Sequence, residues 1–266
     1  MRQLIWNYTH AILSASSGPA FCRLYNTFNR FNRNKLQCTF EQGTYLLRDH
    51  ERSIHISRPG RYRYYGSGIG RRLKALFNDY TGGLPDIAEG DLVIDCGANI
   101  GEFSLHCLSL GARCVAFEPD PTEYRALEKN CGKVAEVYPK ALWYEETRLA
   151  FNLQNETGDS SAVEGDGGSD FMVDAIRLDS VETLKNAERI KLLKLEAEGF
   201  EEEVLRGATG LLSRIEFIAA DLGPERGPES RATLPEVTNT LVKHGFSILH
   251  YNPARSILLF RNDSLA

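Results

Sequence analysis

The pattern of hydrophobic and polar positions changes near residue 89. From Gly90 onward, short apolar runs alternate with segments of helical spacing: LVID, EFSLHCLSL, CVAFE and PTEYRALEKNC follow one another. Apolar runs separated by amphipathic helices are typical of parallel strands with helices on both faces. The pattern therefore predicts a doubly wound, mostly parallel α/β sheet within a domain of residues 90–266.

The same alternation continues to the end of the chain. A third strand with an antiparallel extension is expected in VAEVYPKALWYEETRLAFNLQ, and the glycine-rich residues 155–170 are expected to form an exposed loop. IKLLKLEAEG and EFIAADLG predict a fourth and a fifth strand, the helix EEEVLRGATGLL lies between them, and another helix is expected over residues 234–244. GFSILHYN and ILLFRN flank the turn PARS, which predicts a closing antiparallel hairpin.

The first 89 residues have a weaker and more mixed pattern. Leu4, Ile5, Tyr8, Ile12 and Leu13 have loose helical spacing, and TYLLRDHERSIHIS predicts two short strands around a polar turn. RYRYYGSGIGRRLKALFNDY ends in a predicted helix, and its GSGIG follows no strand, which favours a flexible turn over a phosphate loop. We therefore expect a small N-terminal α+β appendage, residues 1–89, next to the α/β domain.

Composition restricts the class of protein. The chain of 266 residues is 42% hydrophobic and 25% charged, and no stretch approaches the roughly 18 apolar residues of a transmembrane helix. Its first residues make a poor secretory signal, so a cytoplasmic protein is expected. The six cysteines form no CxxC pair, which favours buried thiols over disulfides or a zinc site. Nothing in the sequence specifies an oligomeric state.

Charge is divided unevenly between the two parts. Residues 1–89 carry 13 Lys/Arg and 6 Asp/Glu, a net charge of +7, so the remaining 18 Lys/Arg and 30 Asp/Glu give −12. A basic segment can meet an anionic substrate, a membrane surface or a nucleic acid. A solvated basic face is the simpler interpretation, and no nucleic-acid partner is expected.

Two strand ends carry residues suited to a nucleoside ligand. In VIDCGANIGEFS, Asp95 ends the first strand, and Gly97 and Gly101 bracket the turn into a helix, where glycine permits positive φ and a close approach of a ligand. Glu118 ends the second strand, 23 residues after Asp95. A carboxylate at that place can accept hydrogen bonds from both hydroxyls of a ribose. These residues therefore indicate a ligand that contains ribose.

The turn distinguishes between nucleoside cofactors. A dinucleotide is typically bound by G-x-G-x-x-G, but here Asn99 stands in place of the middle glycine. An acid beside the turn repels a phosphate and suits an ammonium group, which S-adenosylmethionine carries in its amino-acid tail. S-adenosylmethionine is the favoured cofactor. A nicotinamide-dinucleotide-dependent oxidoreductase and a non-catalytic S-adenosylmethionine-binding module remain as alternatives.

Five segments together resemble a known family. They are VIDCGANIGEFS, VAFEPDP, PKALW, IRLDSVETL and LLKLEAEGFEEEVLRGA. In their order and spacing, from about residue 90 to residue 261, the chain is similar to the FkbM family of S-adenosylmethionine-dependent methyltransferases. The closing hairpin resembles the antiparallel sixth and seventh strands of class I methyltransferases. The resemblance thus implies a Rossmann-like class I methyltransferase fold.

The resemblance also implies roles for individual residues. The cofactor would contact Asp95, Gly97, Asn99, Gly101 and Glu118, with its adenine near Lys140, Ala141 and Leu142. Glu196, Glu198 and Asp221, at the ends of the fourth and fifth strands, are the candidate catalytic residues, and no metal ligands are assigned. The family more often has Asp where this chain has Glu196, so the carboxylate arm is one carbon longer here.

The implied reaction is methyl transfer to oxygen. A hydroxyl is a poor nucleophile until it loses its proton, so a base within hydrogen-bond reach is expected, with Glu196 or Asp221 favoured. By the resemblance, the acceptor would be a hydroxyl of a sugar, a glycoconjugate or a polyketide-type metabolite. The basic, aromatic segment RYRYYGSGIGRRLK is a candidate to close over such an acceptor.

Overall fold

The computed structural model describes residues 12–30, 36–152, 161–162, 171–227 and 229–265. Most of the helical pattern that begins at Leu4 lies outside the described residues. The same holds for the predicted loop over residues 155–170, apart from Ser161–Ala162.

The N-terminal part folds as a small α+β unit. Its elements are α1 Gly18–Asn29, β1 Gln37–Glu41, β2 Thr44–Arg48, β3 Ser53–Ile56, a 3-10 helix Pro59–Tyr65 and α2 Ile69–Thr81. The three strands form an antiparallel sheet. Strands β2 and β3 and helix α2 confirm the predictions, whereas α1 and β1 were not predicted. Helix α1 buries Phe21, Cys22 and Tyr25 beneath an otherwise polar surface, and that polar surface conceals its periodicity.

The remaining elements alternate as predicted. They are β4 Leu92–Cys96, α3 Glu102–Ser109, β5 Arg113–Phe117, α4 Pro121–Cys131, β6 Glu136–Tyr138, β7 Ala141–Leu142, β8 Thr147–Asn152, β9 Ser161–Ala162, β10 Phe171–Ile176, α5 Glu182–Lys185, β11 Ile190–Leu195, α6 Glu201–Arg206, β12 Ile215–Asp221, β13 Pro224–Arg226, β14 Arg231–Ala232, α7 Leu234–Lys243, β15 Phe246–Asn252 and β16 Ile257–Asn262. Short 3-10 turns occur at Leu178–Ser180 and Leu212–Arg214.

Seven strands form the central sheet, in the order β15-β16-β12-β11-β4-β5-β6. Strands β4, β5, β6, β11 and β12 are parallel, whereas β16 runs antiparallel to both β12 and β15. This confirms the doubly wound, mostly parallel sheet with a closing antiparallel hairpin. It is the class I methyltransferase fold that the family resemblance implies.

A second sheet flanks the end of the third strand. The chain leaves the central sheet after Tyr138 and enters a four-stranded sheet of order β7-β10-β8-β9. Strands β8 and β10 pair antiparallel, which agrees with the predicted antiparallel extension. Ala141 and Leu142, expected to lie along the third strand, instead form β7 and pair parallel with β10.

The hydrophobic core continues across residue 89. On one face of the central sheet, Phe77 and Tyr80 of α2 pack in one cluster with Val93, Phe103 and Leu259. The three-stranded sheet and α1 share a second cluster with Ile100 and Ala126. The division near residue 89 therefore stays a prediction about folding units, since the two parts are packed together.

Two further observations concern the chain as a whole. All six cysteines are buried, as expected for thiols that pack as small apolar side chains. Within the described ranges, no helix is both long and apolar enough to cross a membrane.

Candidate active site

The central sheet reverses its strand order between β4 and β11. The chain runs outward from β4 through β5 to β6 on one side, and from β11 to β12 on the other. In such sheets ligands bind outside the carboxyl ends of the strands at this switch point. Most of the residues singled out from the sequence lie at or directly after the carboxyl ends of β4, β5, β11 and β12, so the topology gathers them at one edge.

Two adjoining crevices open at this edge. The first crevice is lined by Cys96, Gly97, Asn99, Phe117, Glu118, Pro119, Lys140, Ala141, Leu142, Trp143, Leu149, Phe151, Glu196, Ala197, Glu198, Phe200 and Val204. The second crevice is lined by Arg61, Tyr64, Arg72, Leu76, Tyr80, Gly97, Ala98, Asn99, Glu102, Phe103, Lys194, Glu196 and Arg255. Gly97, Asn99 and Glu196 belong to both, so the two crevices meet at the ends of β4 and β11.

The turn after β4 is tight because of Gly97. This glycine has φ 69°, and a Cβ atom at its position would meet the backbone carbonyl oxygen of Glu196. Asn99 in the same turn also has positive φ, at 52°. Only glycine fits the position without moving β11, so the turn and the strand end lie in direct contact at the junction of the crevices.

Glu118 is a buried carboxylate in the wall of the first crevice. Its Oε2 accepts the backbone N–H of Asn99 at 2.7 Å, and its Oε1 accepts that of Asp120 at 2.8 Å. Burial raises the pKa of Glu118 to about 8 despite these two donors. Each carboxylate oxygen keeps one further acceptor position. The residue therefore fits a ligand that brings two hydroxyl donors, as a ribose does.

Aromatic and apolar side chains form the opposite wall. Trp143, which follows β7, lies 5.4 Å from the Phe200 ring, and Phe151 of β8 is also in the lining. Flat apolar faces with a few polar groups are typical of sites that hold a heteroaromatic ring. Ala141 and Leu142 lie here as the resemblance implies. Sequence reasoning missed Phe151 and Phe200, and it quoted Trp143 only as part of PKALW.

Two of the residues predicted to contact the cofactor lie behind the walls of the crevices. In the described part of the chain, Asp95 and Gly101 are not among the lining residues of either crevice. Asp95 is fully buried and accepts both the N–H and the hydroxyl of Ser104, at 3.2 and 2.7 Å. A Cβ at Gly101 would meet Cys131 and Leu127, so this glycine allows α3 and α4 to approach closely.

Lys194 connects the buried acid to the crevices. Its Nζ lies 3.1 Å from Asp95 Oδ1 and 2.9 Å from Glu196 Oε2, and it donates to the carbonyl oxygens of Cys96 and Gly97. Burial opposes its charge, but the two carboxylates outweigh burial and raise the pKa of Lys194. Lys194 thus pairs with two carboxylates, one on β4 and one directly after β11. Asp95 therefore acts on the site through Lys194.

The three candidate catalytic acids have different surroundings. Glu196 stands at the junction; burial favours its neutral form, but Lys194 and Arg255 lower its pKa below the usual value. Asp221 lies behind it, 3.2 Å from the Arg255 guanidinium, and burial followed by the charge of Glu196 raises its pKa to about 6. Glu198 has φ 51° and lies in the first crevice.

Several residues of the second crevice were not expected at the centre. Tyr80 of α2 is fully buried, and its ring lies 5.2 Å from Lys194 Nζ and 5.3 Å from Arg255 Cζ. Arg255 comes from the PARS turn, which the sequence marks only as a turn. Arg61, Tyr64 and Arg72 belong to the basic, aromatic segment that sequence reasoning did single out.

The chemistry of the site rests on carboxylates and cations. Among the described residues, no three histidines, cysteines or acids are grouped as metal ligands. The junction combines an ionised carboxylate, Glu196, with the fixed positive charges of Lys194 and Arg255. Such a centre can hold a polar reactant and accept a proton from it.

Comparisons with known proteins show which proteins this chain is similar to. The chain is 28% identical over 172 residues to methyltransferase sdnD of Sordaria araneosa, which covers 50% of this chain and 66% of that protein. It is 26% identical over 152 residues to the hexuronic acid methyltransferase AglP of Haloferax volcanii, covering 52% and 59%. The chain thus spans less than two thirds of the length of either relative.

A solved structure and a family model complete the comparison. Magnesium protoporphyrin IX methyltransferase (ChlM) from Synechocystis PCC 6803, solved with bound SAM, aligns at 12% identity and a TM-score of 0.43, over 76% of this chain and 83% of that one. The family model for the methyltransferase FkbM domain matches residues 95–248, more than half of the chain. The chain therefore belongs to the FkbM methyltransferase family.

Proposed function

We propose that this protein transfers the methyl group of S-adenosylmethionine to a hydroxyl of a sugar, a glycoconjugate or a polyketide-type small molecule. The observation that carries the proposal is the meeting of two crevices at Gly97, Asn99 and Glu196. One crevice has a ribose-compatible carboxylate and an aromatic wall, and the other approaches the same point from the basic N-terminal part. Two ligands can therefore meet at one carboxylate.

The first crevice would hold the cofactor. Glu118 would accept the ribose hydroxyls, and Trp143 and Phe200 would pack against the adenine. The Gly97–Asn99 turn would border the amino-acid tail. When bound, the cofactor supplies an electrophilic sulfonium methyl group for an in-line displacement, which depends chiefly on positioning.

Glu196 is the residue that we assign as general base. It borders both crevices, and the neighbouring cations lower its pKa, so it is ionised at neutral pH. Lys194 of β11 holds the carboxylate in place, and Arg255 holds it from the hairpin turn. An acceptor hydroxyl in the second crevice would donate its proton to Glu196 as its oxygen attacks the methyl group. Asp221 would act through Arg255.

The choice of acceptor class is supported by the relatives. AglP is named as a hexuronic acid methyltransferase, and the second crevice combines Tyr64 with arginines, residue types suited to ring faces and to anionic substituents. A small-molecule or glycan acceptor fits these features.

Calorimetry tests the cofactor assignment. We expect S-adenosylmethionine and S-adenosylhomocysteine to bind and NAD to give no heat. Glu118→Ala should weaken the binding of S-adenosylhomocysteine by about 1–3 kcal/mol, the usual cost of leaving a buried polar group without its hydrogen-bond partner. Binding of NAD alone would support an oxidoreductase instead, and unchanged affinity in Glu118→Ala would remove this residue from the ribose site.

Turnover tests the reaction and the base. Methyl transfer to a panel of glycosides and hydroxylated polyketides can be followed by the mass of the product. Glu196→Gln should lower kcat by about 100-fold or more while S-adenosylhomocysteine still binds. Cofactor binding without turnover on any member of the panel would favour a non-catalytic module.

A further inference from the structure

An arginine pair closes the N-terminal end of the second crevice. Arg61 and Arg72 both reach Glu102: Arg61 Nη2 lies 3.1 Å from Oε2, and Arg72 Nε lies 2.8 Å from Oε1. The Tyr65 hydroxyl also donates to Glu102, at 2.8 Å. Glu102 is almost completely buried, and these partners lower its pKa, so it remains ionised. One carboxylate therefore holds two guanidinium groups in place.

This arrangement leaves a hydrogen-bond donor of Arg61, at the N-terminal end of the second crevice, unused by the residues that the structure describes. The Arg61 side chain is only 11% exposed, and among the described residues none accepts a hydrogen bond from its buried Nε. The Tyr64 ring lies 5.8 Å from Arg61 Cζ and 4.8 Å from Arg72 Cζ, which restricts both side chains. Of the described charged groups that line this end, two are guanidinium groups and one is a carboxylate, and the charge of the buried Glu123 also acts on Arg61.

The opposite end of the crevice carries an excess of negative charge, because two cations face three carboxylates. Lys194 is paired with Asp95 and Glu196, and Arg255 is paired with Asp221. The arginine end is thus the more positive end of the crevice, and it lies away from the reacting carboxylate. A buried guanidinium with an unused N–H donor is costly unless a ligand supplies an acceptor.

We propose that Arg61 and Arg72 form a carboxylate-binding subsite at the end of the second crevice. The proposal rests on the proposed function. The carboxylate has two chemical sources: the amino-acid tail of the cofactor, which would enter past Gly97 and Asn99, or an acid group on the acceptor. In either case Arg61 is a binding residue, and Glu102 orients its guanidinium group.

The experiment measures affinities for paired probes by calorimetry. S-adenosylhomocysteine and 5′-methylthioadenosine differ in the amino-acid tail. Methyl glucuronide and methyl glucoside, added to the enzyme saturated with S-adenosylhomocysteine, differ in the acid of the sugar. The variants are Arg61→Met, the double variant Arg61→Met/Glu102→Gln, and the control Arg71→Met, which changes an exposed neighbour. Thermal unfolding verifies that each variant is folded.

Two results support the subsite and identify its ligand. If the cofactor tail is the source, Arg61→Met lowers the affinity for S-adenosylhomocysteine by about 10- to 100-fold and leaves that for 5′-methylthioadenosine unchanged. If the acceptor is the source, only the affinity for methyl glucuronide falls. Either loss must persist in the double variant and be absent from Arg71→Met.

Two other results overturn the proposal. Unchanged affinity for all four probes in Arg61→Met excludes a ligand contact. Recovery of affinity in the double variant shows that Arg61 only neutralises Glu102. Failure of the wild-type protein to bind either nucleoside contradicts the proposed function instead, so the two failures are distinguishable.

Discussion

At the scale of single residues, the acids of the site differ in what surrounds each carboxylate. Glu118 accepts hydrogen bonds from two backbone N–H groups and forms no ion pair within the described part of the chain, and burial raises its pKa to about 8. Glu196 has Lys194 beside it, and its pKa is lowered. Asp221 is intermediate, with Arg255 on one side and the charge of Glu196 on the other. Their distinct surroundings suit them to distinct tasks.

Glu118 makes the stability of the ligand-free protein depend on pH. Its folded pKa of about 8 lies above the unfolded value of 4.5. Between these values the folded state holds a proton that the unfolded state has lost, so stability falls as the pH rises. Glu118→Gln lacks this titration. From about pH 5 to pH 8 we expect its melting temperature to gain about 5 °C relative to wild type.

Differential scanning fluorimetry across this range checks the prediction. The control is Glu128→Gln, which changes an exposed acid of α4. A constant difference between Glu118→Gln and wild type at every pH would show that Glu118 is ionised in the fold.

Asp221 is expected to give the acid limb of the pH–rate profile. Its pKa is raised to about 6, and its protonation would free Arg255 to pair more tightly with Glu196 and weaken the base. Asp221→Asn resembles the protonated state. Its kcat at pH 8 should therefore be about tenfold below wild type, with no limb near pH 6.

The pH dependence of kcat measures this effect, with the exposed Asp174→Asn as the control. Retention of the wild-type limb in Asp221→Asn would assign that limb to another group.

Sequence reasoning at this scale found the acids but not the partners that distant elements contribute. Strand ends reveal Glu118, Glu196 and Asp221, because a carboxyl-terminal position follows from the pattern. Tyr80 and Arg255 come from elements far away in the chain, and their approach to the centre depends on tertiary packing. No local sequence pattern indicates that these residues reach the centre.

At the scale of elements, the turn after β4 is the part with the least freedom. A Cβ at Gly97 would collide with the backbone of Glu196, directly after β11, whereas a Cβ at Gly90, which also has positive φ, would meet nothing within 4 Å. A comparison of alanine substitutions at the two glycines therefore distinguishes the cost of backbone strain from the cost of a steric collision.

Gly90→Ala should lose about 1–2 kcal/mol of unfolding free energy, the cost of the left-handed conformation alone. Gly97→Ala should lose more, because β11 must also move, and should lose binding of S-adenosylhomocysteine. Urea unfolding and calorimetry measure both quantities. Equal losses of stability with intact binding in Gly97→Ala would contradict the close contact.

The elements that the sequence predicted correctly are those with a strong periodicity of hydrophobic residues. Strands β4, β5, β11 and β12 are short apolar runs next to helices, and the pattern alone identified them. Helix α1 and strand β1 were missed, because α1 buries a narrow stripe and β1 buries only Cys38. The second sheet was only partly foreseen, since pairing of β7 with β10 joins segments far apart in the chain.

At the scale of the whole molecule, the N-terminal part and the α/β domain share their cores. Phe77 packs 5.4 Å from Phe103 and belongs to the cluster that contains Val93 and Leu259. The change in pattern at residue 89 therefore need not mark a change in folding unit, and we expect the described parts to unfold together.

Phe77→Ala tests this cooperativity. It should lower the unfolding free energy by about 3–5 kcal/mol and shift a single transition. Circular dichroism follows the whole chain, and a Trp6→Phe background leaves Trp143, in the first crevice, as the one tryptophan. The half-exposed Phe28→Ala is the control. A fluorescence transition unaffected by Phe77→Ala would establish two independent units.

The docking of α2 against the closing hairpin has a consequence for recombining relatives of this protein. Asn252 donates to the carbonyl oxygen of Asp79 at 3.0 Å, a Cβ at Gly82 would strike His250, and Arg255 lies over the Tyr80 ring. A chimera that takes its leading segment from one parent and its trailing hairpin from another would mismatch these contacts beside the reacting groups. Exchange of acceptor preference between relatives should therefore require α2 and the β15–β16 hairpin to be transplanted as a pair.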